Sequence, residues 1–302
     1  MAAVKNEPRP LRSLMFVPGN KEDWMMKAPR FKADALIFDL EDACPEAERP
    51  QARKSVRKAI ETLGAKGHTI FVRVQGLDTR KTGLDLEAVV CKHLHGIFLP
   101  KVAGPEDIVG ISALLDDYEQ RAGLPHGHIL VNPLLESARA VIDAYQVAKA
   151  SPRVTYMGHG TANGGDGART LGYEWTPEGM ETYALRSMVL AQVRAAGVKY
   201  PVSGLWPVIK DNVGLEKYAV QTRQMGYEGL MAIYPGHIET INTVFSPTPQ
   251  QIKYWQRVIS SLEKAEASGT TAIQEGGELL DTAHVKTAKD KLAHAKKLGL
   301  VK

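Results

Sequence analysis

Residues 33–41, ADALIFDLE, form a short apolar run that ends in acidic side chains. Runs of this length, bounded by Gly and Pro, are typical of buried parallel strands. The chain contains eight of them: 14–19 (LMFVPG), 33–41, 68–75 (HTIFVRVQ), 96–102 (GIFLPKV), 128–136 (HILVNPLLE), 154–158 (VTYMG), 200–208 (YPVSGLWPV) and 229–235 (GLMAIYP). The repetition predicts one sheet built from eight buried strands.

Amphipathic segments with apolar residues at three- and four-residue spacing lie between most of these runs. They are residues 45–65, 85–94 (the weakest), 105–123, 138–150 and 176–197. In the last segment Thr176 is the predicted N-cap and Pro177 the first helical residue. Eight alternations of strand and helix favour an α/β fold of the (β/α)₈ TIM barrel type. An open doubly wound sheet is the alternative, and it is disfavoured because no Gly-rich dinucleotide motif follows a run.

The predicted organisation has three parts. They are an N-terminal tail (1–11), a TIM barrel catalytic domain (12–247) and a C-terminal helical extension (248–302). Thr248 and Gln251 have the spacing of a capping box, which predicts the start of a helix. The Gly- and Thr-rich stretch 267–281 then precedes a last helix, and it is interpreted either as a tail or as a lid.

Charge and composition narrow the function. The formal net charge of +4 over 302 residues is too small to indicate nucleic acid binding, but it suits a ligand with several phosphates. The two cysteines, Cys44 and Cys91, have no metal-binding spacing, and no apolar run is long enough to span a membrane. We therefore expect a cytoplasmic protein that binds neither nucleic acid nor membrane.

Ionisable residues at the ends of apolar runs are the main indication of chemistry, because the active site of such a barrel lies at the carboxyl ends of the strands. A buried charge is costly unless it is paired or binds a metal. Glu136 and Asp166 follow adjacent runs, and two carboxylates without His or Cys nearby suit a hard cation such as Mg²⁺. The alternative is that each carboxylate caps a helix or pairs with an arginine.

Arg73 lies between Val72 and Val74, and strand alternation predicts that it points into the barrel. Its guanidinium can hold a carboxylate or stabilise an enolate oxygen. An internal salt bridge to Asp39 or Glu41 is an equally supported alternative. Other candidate substrate contacts lie at strand ends: Pro18, Gly19, Gln75, Lys101, Trp206 and Tyr234.

The chain resembles the citrate lyase β-subunit-like (CitE-like) family of CoA ester lyases, within the HpcH/HpaI aldolase superfamily, from residue 12 to its end. The shared motifs occur in order: RSLMFVPGN (12–20), DALIFDLEDA (34–43), VRVQGLDT (72–79), LPKV (99–102), LLES (134–137), GGD (164–166) and AIYPGHIETINTVFSP (232–247). The resemblance implies a (β/α)₈ barrel that assembles as a homotrimer or hexamer. It also implies Mg²⁺, or Mn²⁺ in its place, bound by Glu136 and Asp166.

The resemblance further assigns roles to individual residues. Arg73 would contact the keto or hydroxy acid, and Glu41 and Asp42 would lie beneath the water shell of the metal. Arg12, Lys27 and the loop after the first strand would lie near the CoA. The segment GGELLD (276–281) resembles a lid in which an aspartate, here Asp281, enters the site of a neighbouring subunit.

The expected reaction is cleavage or formation of a malyl-CoA or citramalyl-CoA type ester, giving acetyl-CoA or propionyl-CoA plus glyoxylate or pyruvate. Asp281 is the predicted acid that protonates the enolate. Departures from the family pattern surround the site, with Tyr234 in place of histidine, His237 in place of glutamine and a longer loop at 157–168. They leave open a CoA-independent aldolase of hydroxy-keto acids and a malate synthase- or thioesterase-like variant. A non-catalytic subunit is the third alternative.

Overall fold

The computed structural model describes residues 6–160, 163–267, 272–275 and 277–301. The chain divides into two compact units, Met1–Phe245 and Ser246–Lys302. Among the described residues, no helix combines the length and the apolar character that crossing a bilayer requires.

The first unit alternates strands and helices as the sequence predicts. Its strands are β1 (Ser13–Pro18), β2 (Ala35–Asp39), β3 (Ile70–Arg73), β4 (Gly96–Leu99), β5 (Leu130–Leu135), β6 (Gly158–His159), β7 (Val202–Ser203) and β8 (Gly229–Ala232). Its helices are α1 (Glu22–Lys27), α2 (Arg49–Gly64), α3 (Thr82–Val89), α4 (Pro105–Arg121), α5 (Ala138–Ile142), α6 (Ala144–Lys149), α7 (Asp166–Leu171), α8 (Met180–Ala195), α9 (Asn212–Met225) and α10 (Ile238–Val244).

All eight strands are parallel, in the order β6-β5-β4-β3-β2-β1-β8-β7, and form a nearly closed barrel. This confirms the predicted (β/α)₈ fold. The two end strands, β6 and β7, have only two residues each, and their backbones approach closely. A Cβ atom on Gly158 would collide with the carbonyl oxygen of Val202, so only glycine allows the barrel to close here.

Strand alternation produces two apolar layers. Val72 and Val74 belong to the layer between the strands and the helices, whereas Phe71 and Phe98 fill the inside of the barrel. The rings of Phe71 and Phe98 pack edge to face with centroids 5.5 Å apart. Arg73 therefore points inward, as predicted, and the polar ends of the strands lie above an apolar interior.

Residues 6–11, which the sequence interpretation assigned to a tail, are held against the amino-terminal end of the barrel. The Asn6 side chain donates to the carbonyl oxygens of Leu94 (3.0 Å) and His128 (2.9 Å), which directly precede β4 and β5 in the loops that enter them. Leu11 is fully buried, and the backbone of Arg9 exchanges two 2.9 Å hydrogen bonds with the hydroxyl of Tyr156. This segment is part of the barrel rather than a free tail.

Two local predictions were wrong. The helix expected from Thr176 begins at Met180, because the Glu181 carboxylate accepts from the backbone and hydroxyl of Thr176 and Gly179 adopts a left-handed conformation (φ 65°). The predicted sixth strand, 154–158, pairs only through Gly158–His159, apart from one bridge between Val154 and Val131. As a result, His159 rather than Gly158 is the last strand residue.

The second unit comprises α11 (Pro249–Ala267), the antiparallel strands β9 (Ala272–Glu275) and β10 (Glu278–Asp281), and α12 (Thr282–Lys297). The capping box at Thr248 is confirmed, since Gln251 N donates to Thr248 Oγ1 (3.2 Å) and Thr248 N donates to Gln251 Oε1 (2.9 Å). Leu262, Leu280 and Val285 belong to its apolar core.

Candidate active site

A cavity of about 230 Å³ lies at the carboxyl ends of the barrel strands. Its polar wall contains Asp39, Arg73, Glu136 and Asp166. Its apolar wall includes Phe16, Leu134, Leu205 and Met231. Three residues that were selected from sequence for charge at strand ends, Arg73, Glu136 and Asp166, thus face one space.

Glu136 directly follows β5, and its carboxylate is largely shielded from water. Oε2 accepts a hydrogen bond from the backbone N–H of Lys101 at 3.0 Å. Burial raises the pKa of Glu136 to about 7, and the negative charges of Glu41 and Asp166 add to the rise. A buried carboxylate with so little compensation gains from a bound cation.

Asp166 is the first residue of α7, and its side chain lines the same cavity. It forms a 2.6 Å ion pair with Arg169 three residues on, which is the alternative the sequence left open. Arg169 is 79% exposed, and an ion pair of this kind contributes little to stability. The pairing therefore leaves the Asp166 carboxylate available to a ligand in the cavity.

Arg73 is held by carboxylates on the strand next to it. Nε and Nη2 donate to the two oxygens of Asp39 at 2.8 and 2.5 Å, and Nη1 lies 3.0 Å from Glu41 Oε2. The internal salt bridge is therefore present. These contacts use three of the five guanidinium N–H groups, so donors remain for a ligand in the cavity. The guanidinium also lies over the ring of Phe16, 5.0 Å from its centroid.

Lys101 contacts three of the acidic residues. Its Nζ lies 2.6 Å from Glu41 Oε1 and 3.5 Å from Asp42 Oδ1, and its backbone N–H is the donor to Glu136. The backbone of Lys101 is in the left-handed region (φ 55°), a strained conformation for a residue with a side chain. Glu41 is buried between Arg73 and Lys101, whereas the Asp42 side chain is 61% exposed.

A second cavity of about 370 Å³ shares Phe16, Pro18 and Ile233 with the first. Its other wall carries two cations and three aromatic rings: Lys27, Arg30, Trp24, Phe31 and Tyr234. Lys27, which the sequence interpretation placed near a CoA group, and Tyr234, a candidate substrate contact, are thus brought together here. Trp24 is 60% exposed, which is unusual for so large an apolar side chain.

Two predicted contacts are structural instead. Arg12 precedes β1, at the opposite end of the barrel, and its side chain forms a two-pronged salt bridge with Asp34 (2.8 and 2.7 Å). Gly19 donates its N–H to the carbonyl oxygen of Asp39 at 2.8 Å, and a Cβ atom there would collide with that backbone.

Gln75 and Trp206 were also placed wrongly. Gln75 is buried outside the cavity, where its backbone N–H donates to Asp85 (2.8 Å) and its side chain accepts from Arg49 (3.0 Å). Trp206 is 1% exposed and packs in the outer layer against Trp175, with ring centroids 5.4 Å apart. The fact that a residue follows a strand does not determine on which side of the sheet its side chain lies.

His159 was missed. It ends β6, is fully buried, and its Nδ1–H donates to the carbonyl oxygen of Leu135 (2.9 Å). The signal was available, because an ionisable residue follows the apolar run VTYMG directly. It was lost because the sixth strand was ended one residue too early.

Comparison with known proteins gives a consistent result. The family model for HpcH/HpaI aldolase/citrate lyase matches residues 12–235. The chain is 33% identical to a (3S)-malyl-CoA thioesterase of Cereibacter sphaeroides, over 98% of each chain, and 32% identical to the citrate lyase subunit beta of Leuconostoc mesenteroides subsp. cremoris, over 97% of this chain and 96% of that one. Its fold is similar to CitE of Mycobacterium tuberculosis, solved with magnesium, acetoacetate and coenzyme A (TM-score 0.71, 23% identity, 95% of this chain and 98% of that one).

Proposed function

Because the chain belongs to the HpcH/HpaI aldolase/citrate lyase family of lyase-type enzymes, we propose that it is a Mg²⁺-dependent carbon–carbon lyase for a short 3-hydroxyacyl-CoA ester. The substrate would be of the malyl-CoA or citramalyl-CoA type. The observation that carries the proposal is that Glu136, Asp166 and Arg73 line one cavity, which adjoins a second cavity with the cations Lys27 and Arg30.

The donor set fits Mg²⁺. Glu136 and Asp166 offer hard carboxylate oxygens, and burial leaves Glu136 in need of a cation. In the described part of the chain, no group of three or more His, Cys, Asp or Glu side chains is assembled for a metal. Mg²⁺ commonly takes one or two protein carboxylates and keeps water and substrate oxygens as its other ligands, and Mn²⁺ accepts the same donors. When bound, such an ion supplies a Lewis acid for the carboxylate and the hydroxyl oxygen of the substrate.

The chain's own residues would bind and orient the acid half of the substrate. Arg73 is fixed by Asp39, so its free N–H groups point in a set direction and need no rearrangement to meet a carboxylate or a developing oxyanion. Phe16, Leu134 and Leu205 would exclude water from the reacting carbon atoms. This division between a polar and an apolar wall suits a small keto acid.

The second cavity would hold the CoA half. Lys27 and Arg30 carry the charge that phosphates require, and Trp24, Phe31 and Tyr234 offer flat apolar faces to a ring. The shared residues Phe16, Pro18 and Ile233 place the two cavities side by side, so a thioester can run from one to the other.

Asp281 remains our candidate for proton transfer, delivered by the second unit of a neighbouring subunit in a homotrimer or hexamer. In cleavage the bond between the carbinol carbon and the CH₂ group breaks, the hydroxyl loses its proton, and the CH₂ carbon gains one. Asp281 Oδ1 lies 2.7 Å from His284 Nδ1 and accepts from the Ala283 N–H (2.9 Å), and the contact with His284 lowers the pKa of Asp281 most. This favours the carboxylate, which is the form that removes a proton from acetyl-CoA in the reverse condensation.

The test is incubation of the purified protein with Mg²⁺ and malyl-CoA or citramalyl-CoA. We expect equal amounts of acetyl-CoA and glyoxylate or pyruvate, measured by chromatography and as the phenylhydrazone, and loss of both after treatment with a chelator. Glu136→Gln should be inactive. Cleavage that persists without any divalent ion contradicts the proposal.

A second candidate is hydrolysis of the thioester, which is favoured by the 33% identity to a protein named as a malyl-CoA thioesterase. The two reactions differ in their products, because hydrolysis releases a free CoA thiol and malate, while cleavage releases neither. A thiol reagent added to the same incubation distinguishes them. Cleavage of a free 4-hydroxy-2-keto acid, with no effect of CoA, would instead indicate the CoA-independent aldolase.

A further inference from the structure

His159 is a fully buried histidine at the carboxyl end of β6. Its Nδ1 lies 2.9 Å from the carbonyl oxygen of Leu135, and that carbonyl belongs to the peptide bond that leads into Glu136. A carbonyl oxygen can only accept, so Nδ1 must carry the hydrogen. One ring nitrogen therefore fixes the backbone from which the first carboxylate projects.

The same ring also lies close to the backbone that follows the second carboxylate. Gly167 follows Asp166 in α7, and a Cβ atom on Gly167 would lie 3.6 Å from His159 Cε1 and 3.2 Å from the carbonyl oxygen of Gly160. The backbone next to Asp166 thus rests on the imidazole with no side chain between them. α7 begins at Asp166, so the imidazole lies next to its first turn.

The other ring nitrogen of His159 lies among buried polar groups. Its Nε2 has no hydrogen-bond partner among the described residues, and the same holds for the buried hydroxyl of Tyr173, which lies 3.8 Å from the same Cβ position on Gly167. Burial lowers the pKa of His159, so the ring is neutral, with Nε2 as an acceptor. His159 Nε2, an acceptor, and the hydroxyl of Tyr173, a donor, therefore lie close to the first turn of α7.

We infer that His159 is a positioning residue that sets the separation of Glu136 and Asp166, by donating to the peptide before the first and supporting the peptide after the second. The inference rests on the proposed metal site. Groups outside the ligand shell orient metal ligands through hydrogen bonds, and loss of such a group lowers metal affinity by about 10- to 100-fold.

The experiment compares three substitutions that separate the two ring nitrogens. His159→Asn keeps an N–H where Nδ1 stands, His159→Gln places its amide where Nε2 stands, and His159→Leu keeps neither. His237→Leu is the matched control, because His237 is also fully buried and also bonds to a backbone carbonyl, that of Ile209 at 3.2 Å. Mn²⁺ affinity is measured by electron paramagnetic resonance, together with the melting temperature of each metal-free protein.

We expect His159→Leu and His159→Gln to weaken Mn²⁺ binding by about tenfold or more, and His159→Asn to stay within about threefold of the unaltered protein. A merely structural role predicts instead that affinity follows melting temperature in all four variants, including the control. That result overturns the inference, as does unchanged affinity in His159→Leu. Failure of the proposed function is recognised separately, because then the unaltered protein and Glu136→Gln bind Mn²⁺ equally weakly.

Discussion

At the scale of single residues, Arg73 is a rigid cation rather than a mobile one. Its bidentate contact with Asp39 and its pairing with Glu41 fix the plane of the guanidinium. Lysine at position 73 would keep the positive charge but lose the planar set of N–H donors. We expect Arg73→Lys to lower kcat/KM by about 10²- to 10³-fold, which is typical for loss of a preorganised donor.

The control for this prediction is Arg169→Lys, in which an exposed arginine near the same cavity is changed in the same way. Circular dichroism checks that both variants fold, and steady-state kinetics gives the effect. Equal activity of Arg73→Lys and the unaltered protein would show that the guanidinium serves only the salt bridge.

The raised pKa of Glu136 has a consequence for stability in the absence of metal. Its folded pKa of about 7 lies above the ordinary value of 4.5, so between these pH values the folded state binds more protons than the unfolded state. The free energy of unfolding therefore falls as pH rises from about 4.5 to 7. We expect Glu136→Gln, measured with a chelator, to raise the melting temperature by a few degrees at pH 7.5 and hardly at all at pH 5.

Thermal unfolding by circular dichroism at the two pH values checks this expectation. Adding saturating Mg²⁺ should reverse the order at pH 7.5, since only the carboxylate form gains stability from the ion. A lower melting temperature for Glu136→Gln at pH 7.5 with chelator would contradict the cause assigned to the shift.

The three candidate site residues that the structure brings to one cavity share one property. Arg73, Glu136 and Asp166 are charged groups at strand ends, where burial requires a reason, so their type and position were enough. Gln75 and Trp206 also follow strands, but each can find polar or packing partners on either side of the sheet. Their direction depends on partners in distant segments, Asp85 and Trp175, and local sequence does not contain that information.

At the scale of elements, closure of the barrel depends on the contact between β6 and β7. Alanine at Gly158 would place a Cβ atom into the backbone carbonyl of Val202, and a backbone atom in a barrel cannot move aside cheaply. We expect Gly158→Ala to lower the free energy of unfolding by about 3 kcal/mol or more. Urea unfolding followed by fluorescence provides the measurement.

Gly110 in α4 is the matched control, since Leu77 Cδ1, at 4.0 Å, is the only atom of the described residues outside that helix within 4 Å of its Cβ position. Alanine there should raise the free energy of unfolding by up to about 1 kcal/mol, through lower backbone entropy in the unfolded chain. If both substitutions shift stability in the same direction, the close approach of β6 and β7 is not what the glycine permits.

Periodicity predicted the long strands well and the short ones poorly. Three strands, β1, β2 and β5, have five or six residues each. Apolar runs of that length are sufficient to predict a buried strand. β6 and β7 have two residues each, too few for a pattern, and their position is fixed by neighbouring strands. Helix α7 is likewise too short for a pattern. Its six residues, which include Asp166, were interpreted from the sequence as part of a loop.

At the scale of the whole molecule, the proposal that Asp281 acts in the cavity of a neighbouring subunit has a testable consequence. If the second unit of one subunit completes the site of another, two inactive variants should restore each other's function. Asp281→Asn keeps its own Glu136, and Glu136→Gln keeps its own Asp281. A complete site forms wherever a subunit of the first kind receives the second unit of the second kind.

Co-expression of the two variants with different affinity tags, followed by tandem purification, gives mixed oligomers for this test. Every mixed trimer then has one site that combines an intact Glu136 with a neighbour's intact Asp281, so activity should rise to about one third of the native value in a trimer and about one quarter in a randomly mixed hexamer. Light scattering on the native protein should give three or six times 33.0 kDa. If Asp281 acts within its own chain, no mixture regains activity, because every subunit then lacks one of the two groups.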